Sequence, residues 1–248
     1  MANFDYRAKL QALGTTDQGK ELVYGKRGDK ENLLYPLWET DGVMFPYTPM
    51  IQVQHANVGY GQYELPHTNY DYLAYAKTQS PSMTVTGMFG AHTYAEARYM
   101  MACLHFFRVV TKSNFGIKDA EKDIAGTPPP KLAFSAYGPA MFSRTPVYIR
   151  SVAFGLDQDV DYVPCGPDKS KERAQRQAEY MNTSNTDIPL EPVSNSGLSI
   201  EEMLEKSYVP LILNIFVELV VTPTPSAMRD QFSLEEFRSG KLLEKGFY

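Results

Sequence analysis

Residues 208–222, with the sequence YVPLILNIFVELVVT, constrain the fold more than any other part of the chain. The apolar residues recur with a period of two and include many β-branched side chains, which predicts a β-strand. One side of this strand is entirely aliphatic: Leu211, Leu213, Ile215, Val217, Leu219 and Val221. The other side, with Asn214, Phe216 and Glu218, is mixed. A strand with two such faces has to be covered twice. We expect a helix on one face and a facing sheet or a neighbouring copy on the other.

Residues 82–111 predict a second strand and the helix that packs on the sheet. The apolar side of the strand consists of Met83, Val85 and Phe89. Gly87 and Gly90 weaken the strand and allow a bulge or a sharp exit. Thr93 and Glu96 have the spacing of a capping box, which predicts a helix start. The apolar stripe of this helix comprises Ala95, Tyr99, Ala102, Cys103, Phe106 and Val110. It is the only long, strongly periodic helix predicted.

Further strands are predicted from shorter alternating segments at 43–47, 51–55, 132–136, 146–154 and 160–164. Pro46 and Pro49 make the first of these an edge strand or a bent strand. Near the C-terminus, Ser233 and Glu236 have capping-box spacing, and Phe232 and Phe237 are placed as a hydrophobic staple, which predicts a short helix ending near residue 240. The pattern contains no strand–helix–strand alternation, so the fold class is α+β, mainly β. We expect an antiparallel β-sandwich or barrel flanked by one principal helix.

The chain divides into a β domain and two segments of different character. Residues 1–40 are polar and mixed, and we expect an N-terminal arm or short helix there, with an amphipathic helix at 4–13. Residues 165–207 are charged, rich in Asn, Ser and Pro, and poor in apolar side chains, which indicates a solvated polar insertion. Short helices are predicted there at 169–181 and after Ser199, where Glu202 completes a capping box. The β domain therefore comprises 41–164 and 208–248.

Composition places this chain among globular proteins. Its 248 residues suffice to bury a core, and 17 Tyr, 13 Phe and 17 Pro favour β-structure with many turns. No apolar run reaches the roughly 18 residues of a membrane span, and no signal-peptide core is present, so we expect a soluble protein made in a cytoplasm, without a membrane partner. Cys103 and Cys165 are expected to be buried or idle thiols. The net charge of −5 argues against a primary role in gripping nucleic acid.

A tyrosine-rich stretch follows the strand at 51–55. Its aromatic residues are Tyr60, Tyr63, Tyr70, Tyr72 and Tyr75, and Gly59 and Gly61 before and among them suggest a turn. One interpretation is an aromatic platform that binds sugars or nucleobases. The favoured interpretation is a loop or strand pair whose tyrosines are half-buried at a subunit contact.

No catalytic, cofactor-binding or metal-ligating residue is predicted, so we expect a protein that is not an enzyme and needs no cofactor. The sequence has no phosphate-binding glycine loop, no GxSxG elbow and no CxxC pair. His105, beside Arg108 on the polar side of the helix, is better explained as a solvated or contact histidine than as a base. Asp157, Asp159 and Asp161 resemble half of a calcium loop, but the required glycine and glutamate are missing.

The chain resembles the baseplate tail-tube proteins of contractile-tailed bacteriophages in an ordered series of sequence blocks. The blocks are GVMFPYTPMI, HTNYDYLAY, MTVTGMFGAHTYAEARYMMACLHFFRVVTK, AGTPPPKLAFSAYG, DVDYVP and VPLILNIFVELVVTPTPSAMRDQFSLEEFRSGKLL. They cover about 41–164 and 208–243, and the signal lies in their order. The N-terminal forty residues and the insertion at 165–207 depart from the family pattern, so which ring in the stack this would be stays open.

The resemblance implies a virion protein with a tube-type β-barrel or sandwich, assembled as a homohexameric ring that initiates or caps the tail tube at the baseplate. Implied partners are the adjacent hub and tube rings, the tape-measure protein and the sheath initiator, with DNA passing through the channel during genome ejection. Assembly would take place in the host bacterial cytoplasm. We further hypothesise that acids among residues 157–161 face the channel. The alternative function is a β-sandwich module that binds or hydrolyses host glycans.

Overall fold

The computed structural model of the protein describes residues 6–115, 125–166 and 199–248. Its strands are β1 (Lys9–Ala12), β2 (Val43–Met44), β3 (Met50–Gln54), β4 (Val58–Tyr63), β5 (Tyr72–Thr78), β6 (Ser82–Gly90), β7 (Leu132–Ala136), β8 (Phe142–Leu156), β9 (Tyr162–Pro164), β10 (Tyr208–Pro210) and β11 (Ile212–Val221). Its helices are α1 (Asp17–Tyr24), α2 (Pro36–Thr40), α3 (Tyr94–Val110), α4 (Ile200–Glu205), α5 (Pro225–Asp230), α6 (Leu234–Arg238) and a 3₁₀ turn at Leu243–Lys245.

Seven of the strands form one antiparallel sheet in the order β2-β1-β7-β8-β11-β6-β3. Two further strand pairs, β9 with β10 and β4 with β5, stand outside it. The predicted α+β, mainly antiparallel fold is confirmed at this level. No closed barrel is found among the described residues, and the specific tail-tube fold stays a prediction.

Helix α3 covers one face of the sheet, as its apolar periodicity predicts. Both halves of the capping box form: Thr93 Oγ1 accepts from Glu96 N, and the Glu96 carboxylate accepts from Thr93 N. The ring of Phe107 lies 6.4 Å from that of Phe154 on β8. The predicted stripe is incomplete because the core also contains Ala97, Met100, Leu104 and Phe107. Ala95, which was predicted to lie on the stripe, is exposed, whereas Ala97 two residues later is buried.

The strand predicted at 208–222 is two strands. Residues before Leu211 form β10 and pair with β9, whereas those after it form β11 between β6 and β8. The Leu211 N–H donates to Asp161 O at 2.8 Å, and its carbonyl accepts from Ala91 N at 2.9 Å, so the backbone stays paired at the break. The aliphatic face of β11 is buried from Leu213 to Val221, as expected.

The N-terminal residues belong to the sheet. The helix predicted at 4–13 is wrong for residues 9–12, which form β1 and pair with β7 on one side and β2 on the other. Leu10 is buried, and Ala12 N donates to the hydroxyl of buried Tyr24 at 2.8 Å. Long-range pairing outweighs the weak local preference for helix in so short a segment. Residues 6–40 thus contribute a strand and two helices to the same core.

The described flanks of the predicted insertion are ordered against the core. Helix α4 begins with the predicted capping box of Ser199 and Glu202. Leu204 of this helix and Cys165 are buried in the core, so these flanks are anchored to it, although Glu201 and Glu202 are exposed. Both thiols are buried, as predicted. The helix predicted at 169–181 lies outside the described residues.

The C-terminal segment, residues 225–248, packs against β8 of the sheet. Ser233 caps α6 through Glu236 N, and the rings of Phe232 and Phe237 lie 6.0 Å apart, which confirms the predicted cap and staple contact. The Glu236 carboxylate accepts from Lys245 Nζ at 3.4 Å instead of returning to residue 233, so only half of the predicted capping box is present. Tyr248 stacks on Phe142 of β8 at 4.8 Å.

Candidate assembly surfaces

The polar residues considered from sequence are not gathered into a reactive site. Within the described ranges, no group of three or more His, Cys, Asp or Glu side chains could hold a metal ion. His105 is half-buried on α3, and its pKa is lowered by burial and by the adjacent Arg108. Asp157 accepts a hydrogen bond from Asn214 Nδ2 at 3.1 Å. Across the part of the chain that the structure describes, no helix has the length and apolar character needed to cross a membrane.

Strands β3, β6, β11 and β8 expose one broad face, which we call the open face. The register aligns two rows across it: Met50, Thr86, Phe216 and Ala153 in one, and Gln52, Thr84, Glu218 and Ser151 in the other. No described element forms the facing sheet that the sequence suggested, and Phe216 is 41% exposed. The face mixes neutral polar side chains with exposed apolar ones. Its acid, Glu218, is paired with Arg150 at 3.0 Å.

The same four strands end in two open edges. Strand β3 pairs with β6 on one side, and no described strand pairs with its other side. On the opposite side of the four strands, β7 pairs with β8 only as far as Val147. From Tyr148 to Leu156, β8 pairs with β11 alone among the described strands. Each edge presents unpaired backbone N–H and C=O groups, which are a template for another strand.

The tyrosine-rich stretch is a strand pair, as the favoured interpretation held, and we call it the arm (β4, β5 and the turn between them). The turn lies at residues 64–71, so the turn suggested by Gly59 and Gly61 is wrong; both lie in β4. Every residue of the two strands is exposed except Gly59, which is half-buried. The tyrosines are therefore exposed in the single chain. Two-stranded hairpins are marginally stable alone in water, so an arm like this usually needs a partner surface.

One side of the arm carries Leu73 and two tyrosines beside the polar Gln62, whose amide donates to Asp71. Because Tyr60 pairs with Tyr75 and Gln62 with Leu73, these four side chains share a face. The rings of Tyr60 and Tyr75 meet edge to face with centroids 6.3 Å apart. We call this surface the arm's apolar face.

A groove of about 600 Å³ lies between the base of the arm, the end of β11 and the C-terminal helices. Its apolar lining includes Tyr75, Val221, Met228, Phe232, Leu234 and Tyr248. Several of these side chains are large, apolar and exposed: Tyr75, Met228, Phe232 and Leu234. Grouped apolar exposure of this kind marks an interaction site more often than scattered exposure does. We call this feature the C-terminal groove.

The groove was not predicted from sequence, nor was the identity of the two strands that form the open edges; the edge strand predicted at 43–47 is β2, at the far end of the sheet. A weak signal for the groove existed, because Met228, Phe232 and Leu234 are large apolar residues in a segment too short to bury them. The edges had no local signal, since they depend on the order of strands far apart in the chain. A scan against models of protein families and a search of curated proteins found no match.

Proposed function

We propose that the protein is a structural virion component that forms a ring, homohexameric in the resembled family, at the baseplate end of a contractile tail tube. The observation that carries this proposal is the pair of open edges on opposite sides of the four strands β3, β6, β11 and β8 of the sheet. Three antiparallel steps separate β3 from β8, so these two strands run in opposite directions. A copy rotated about an axis parallel to the strands therefore presents its β8 antiparallel to the first copy's β3. Repeating this contact gives a head-to-tail interface, which closes into a ring when the rotation between successive copies divides a full turn evenly.

Edge pairing satisfies two needs of the single chain. It supplies hydrogen-bond partners for the exposed edges, which otherwise favour aggregation. It also keeps the buried and open faces of successive copies aligned. In both edge strands, side chains that point to the core alternate with side chains that point to the open face. A stable contact would bury about 800 Å² on each partner, so the arm and the C-terminal segment would have to contribute beyond the strands.

The open face suits the wall of a channel through which DNA slides. Its side chains combine Thr, Ser, Gln and Asn with exposed Met50 and Phe216, and its charged pair, Glu218 and Arg150, is mutually neutralised. Tight phosphate binding needs unpaired Lys or Arg, which this face lacks among the described residues. Asp157 contacts Asn214 of the open face, so acids of the 157–161 segment would lie at its margin. The function is then assembly and passage of DNA, without catalysis. The hub, the neighbouring tube ring, the tape-measure protein and the sheath initiator are the partners that the resemblance implies.

The test is whether the purified chain forms rings through these edges. Negative-stain microscopy and light scattering are expected to show six-fold rings or tubes. In an edge strand, alternate residues direct their N–H outward. Of the two variants Ile51→Pro and Gln52→Pro, one therefore removes an N–H group that hydrogen-bonds to β6, and the other removes an N–H group that points away from the sheet. The variant that keeps the parent's circular dichroism spectrum is expected to stay monomeric. If both prolines assemble as the parent does, pairing through β3 is wrong.

The exposed arm also favours a second function, binding of host glycans. Tyr60, Tyr63, Tyr72 and Tyr75 expose their rings, and aromatic rings pack against the apolar faces of sugars. In this case the chain is a monomer that binds a glycan array through the arm. A monomer at high concentration that binds glycans, and loses binding when Tyr72 becomes Ala, would favour this function over the ring.

A further inference from the structure

The arm is the outer part of one long hairpin that begins with β3 and ends with β6. The ladder of β3 and β6 stops before residues 55–57 and 79–81, and the ladder of β4 and β5 begins beyond them. We call these six residues the joint. Among the described residues, one backbone hydrogen bond crosses the joint, from Gln79 N to Asn57 O at 3.0 Å. Pro81 has no N–H to donate. The hairpin can therefore bend at the joint without losing more than this one backbone bond.

The body side of the joint is held in place. Pro81 O accepts a hydrogen bond from Val221 N at 2.9 Å, at the end of β11. The ring of His55 meets that of Tyr248 edge to face at 5.3 Å, and Tyr248 stacks on buried Phe142. Beyond the joint, by contrast, the two strands of the arm contact chiefly each other. A bend at the joint thus moves the arm as a unit while the sheet and the C-terminal segment stay where they are.

The groove lies on the side of the arm that carries its apolar face. Tyr75 and Thr78 of β5 already line the groove, and the hydroxyls of these two residues lie 2.9 Å apart. Leu73 shares a face with Tyr75 and lies two residues further from the joint, about 7 Å along the strand. When the arm bends towards the groove, Leu73 is therefore carried over helices α5 and α6.

The two facing surfaces are apolar and uncovered in the position that the structure shows. Leu73 is 64% exposed on the arm, and Met228 and Leu234 are 45% and 57% exposed on α5 and α6. The groove between them has a volume of about 600 Å³, which is enough for several side chains. A hairpin gains most of its stability by packing its apolar side chains on another surface. The groove is such a surface, and the base of the same arm already forms one of its walls.

We propose that the arm is a strap that closes over the C-terminal groove of its own chain by bending at the joint, so that Leu73 packs against Met228 and Leu234. The extended arm and the closed arm are two positions of one chain, and the contact between His55 and Tyr248 is the fixed point between them. Closure covers apolar side chains of the arm and of α5 and α6 in the free protein. The inference concerns the single chain, so it does not depend on the ring.

Disulfide formation within one chain tests this closure. The double variant Leu73→Cys, Leu234→Cys is oxidised mildly, and the matched control carries Ala74→Cys in place of Leu73→Cys. Ala74 is the next residue of β5 and faces the opposite side of the arm. A disulfide requires Cα atoms within about 7 Å, so we expect the intramolecular disulfide to form about tenfold faster with Leu73→Cys than with Ala74→Cys. The native thiols of Cys103 and Cys165 are buried and do not compete.

Non-reducing electrophoresis separates the outcomes, because a disulfide within one chain leaves a monomer and a disulfide between two chains gives a covalent dimer. Equal rates for the two double variants overturn the strap. Covalent dimers without the intramolecular product overturn it as well, since the groove would then receive the arm of another molecule.

Hydrogen exchange of β5 is a second measurement, and it needs no new cysteine. Leu234→Glu places a charge where Leu73 packs, so the amides of β5 are expected to exchange about tenfold faster than in the parent. The control Leu22→Glu, at a site on α1 that is 63% exposed, is expected to leave this exchange unchanged. Exchange of β5 that is equal in the two variants contradicts closure. The ring is tested separately by the proline variants of β3.

Discussion

Gly87 provides the sharpest test of how the core is packed. It lies in the middle of β6 on the buried face, opposite Ile215, and the ring of Phe45 lies directly over it. A methyl group at this position would lie 2.5 Å from Phe45 Cε1 and still closer to Cδ1. Phe45 cannot easily move away, because it is 2% exposed and its ring centroid is 5.4 Å from that of Phe89.

The expected cost of Gly87→Ala follows from two opposing effects. Replacing glycine by alanine within a strand gains about 0.5–1 kcal/mol, because the unfolded chain loses less entropy on folding. Overpacking a full core costs about 1–3 kcal/mol. The clash prevails, so the free energy of unfolding is expected to fall by about 1–2 kcal/mol. For a chain of this size the melting temperature falls by about 2–4 °C per kcal/mol.

Urea unfolding followed by circular dichroism, at one fixed protein concentration, measures this effect. The matched control is Gly61→Ala in the arm, where the nearest atom to the new methyl group is Ala74 O at 3.9 Å. The control is expected to be neutral or slightly stabilised. Phe45→Leu is expected to lower the free energy of unfolding less in the Gly87→Ala protein than in the parent, because the smaller side chain relieves the clash with the new methyl group. A Gly87→Ala protein as stable as the parent would show that Phe45 does not fill this space.

Three further predictions concern alkaline stability, the α3 cap and the two faces of β11. Burial raises the pKa of Cys165 to about 11 and that of Cys103 further. The stability that the two neutral thiols contribute is therefore complete below about pH 8.5 and is lost as the pH rises towards their folded-state pKa values. The melting temperature should fall between about pH 7 and 10.5, and it should fall less in Cys165→Ala. Thr93→Ala removes the N-cap of α3 and should cost about 1 kcal/mol in urea unfolding, with the helix content unchanged. Ile215→Ala should cost about 2–5 kcal/mol, whereas Phe216→Ala, on the open face, should cost clearly less; equal costs would mean that the open face is covered in the free protein.

In the proposed ring, strand pairing sets the direction of each contact, because β3 and the part of β8 after Val147 are open edges on opposite sides of the strands that carry the open face. Variants of β3 are therefore expected to prevent ring closure.

The sequence by itself determined the elements whose signals are local. The period of two in β6 and β11 identified two strands and their buried faces, and the helical spacing after Thr93 identified α3 with its cap. These predictions succeeded because a strand face or a helix cap is specified by residues a few positions apart. The burial of Cys103 follows from the apolar stripe of α3, whereas Cys165 lies in a polar stretch and was predicted only to be buried or idle.

Tertiary structure decided everything that depends on which segments meet. Residues 9–12 are a strand because β7, more than a hundred residues later, offers them a free edge. Gly87 is required by Phe45 and is not a bulge signal, and Gly59 and Gly61 lie within a strand although glycines commonly mark turns. The open edges, the arm's apolar face and the C-terminal groove follow from strand order and from side chains distant in sequence. A local pattern specifies how a segment is shaped, whereas long-range pairing specifies which surfaces remain free.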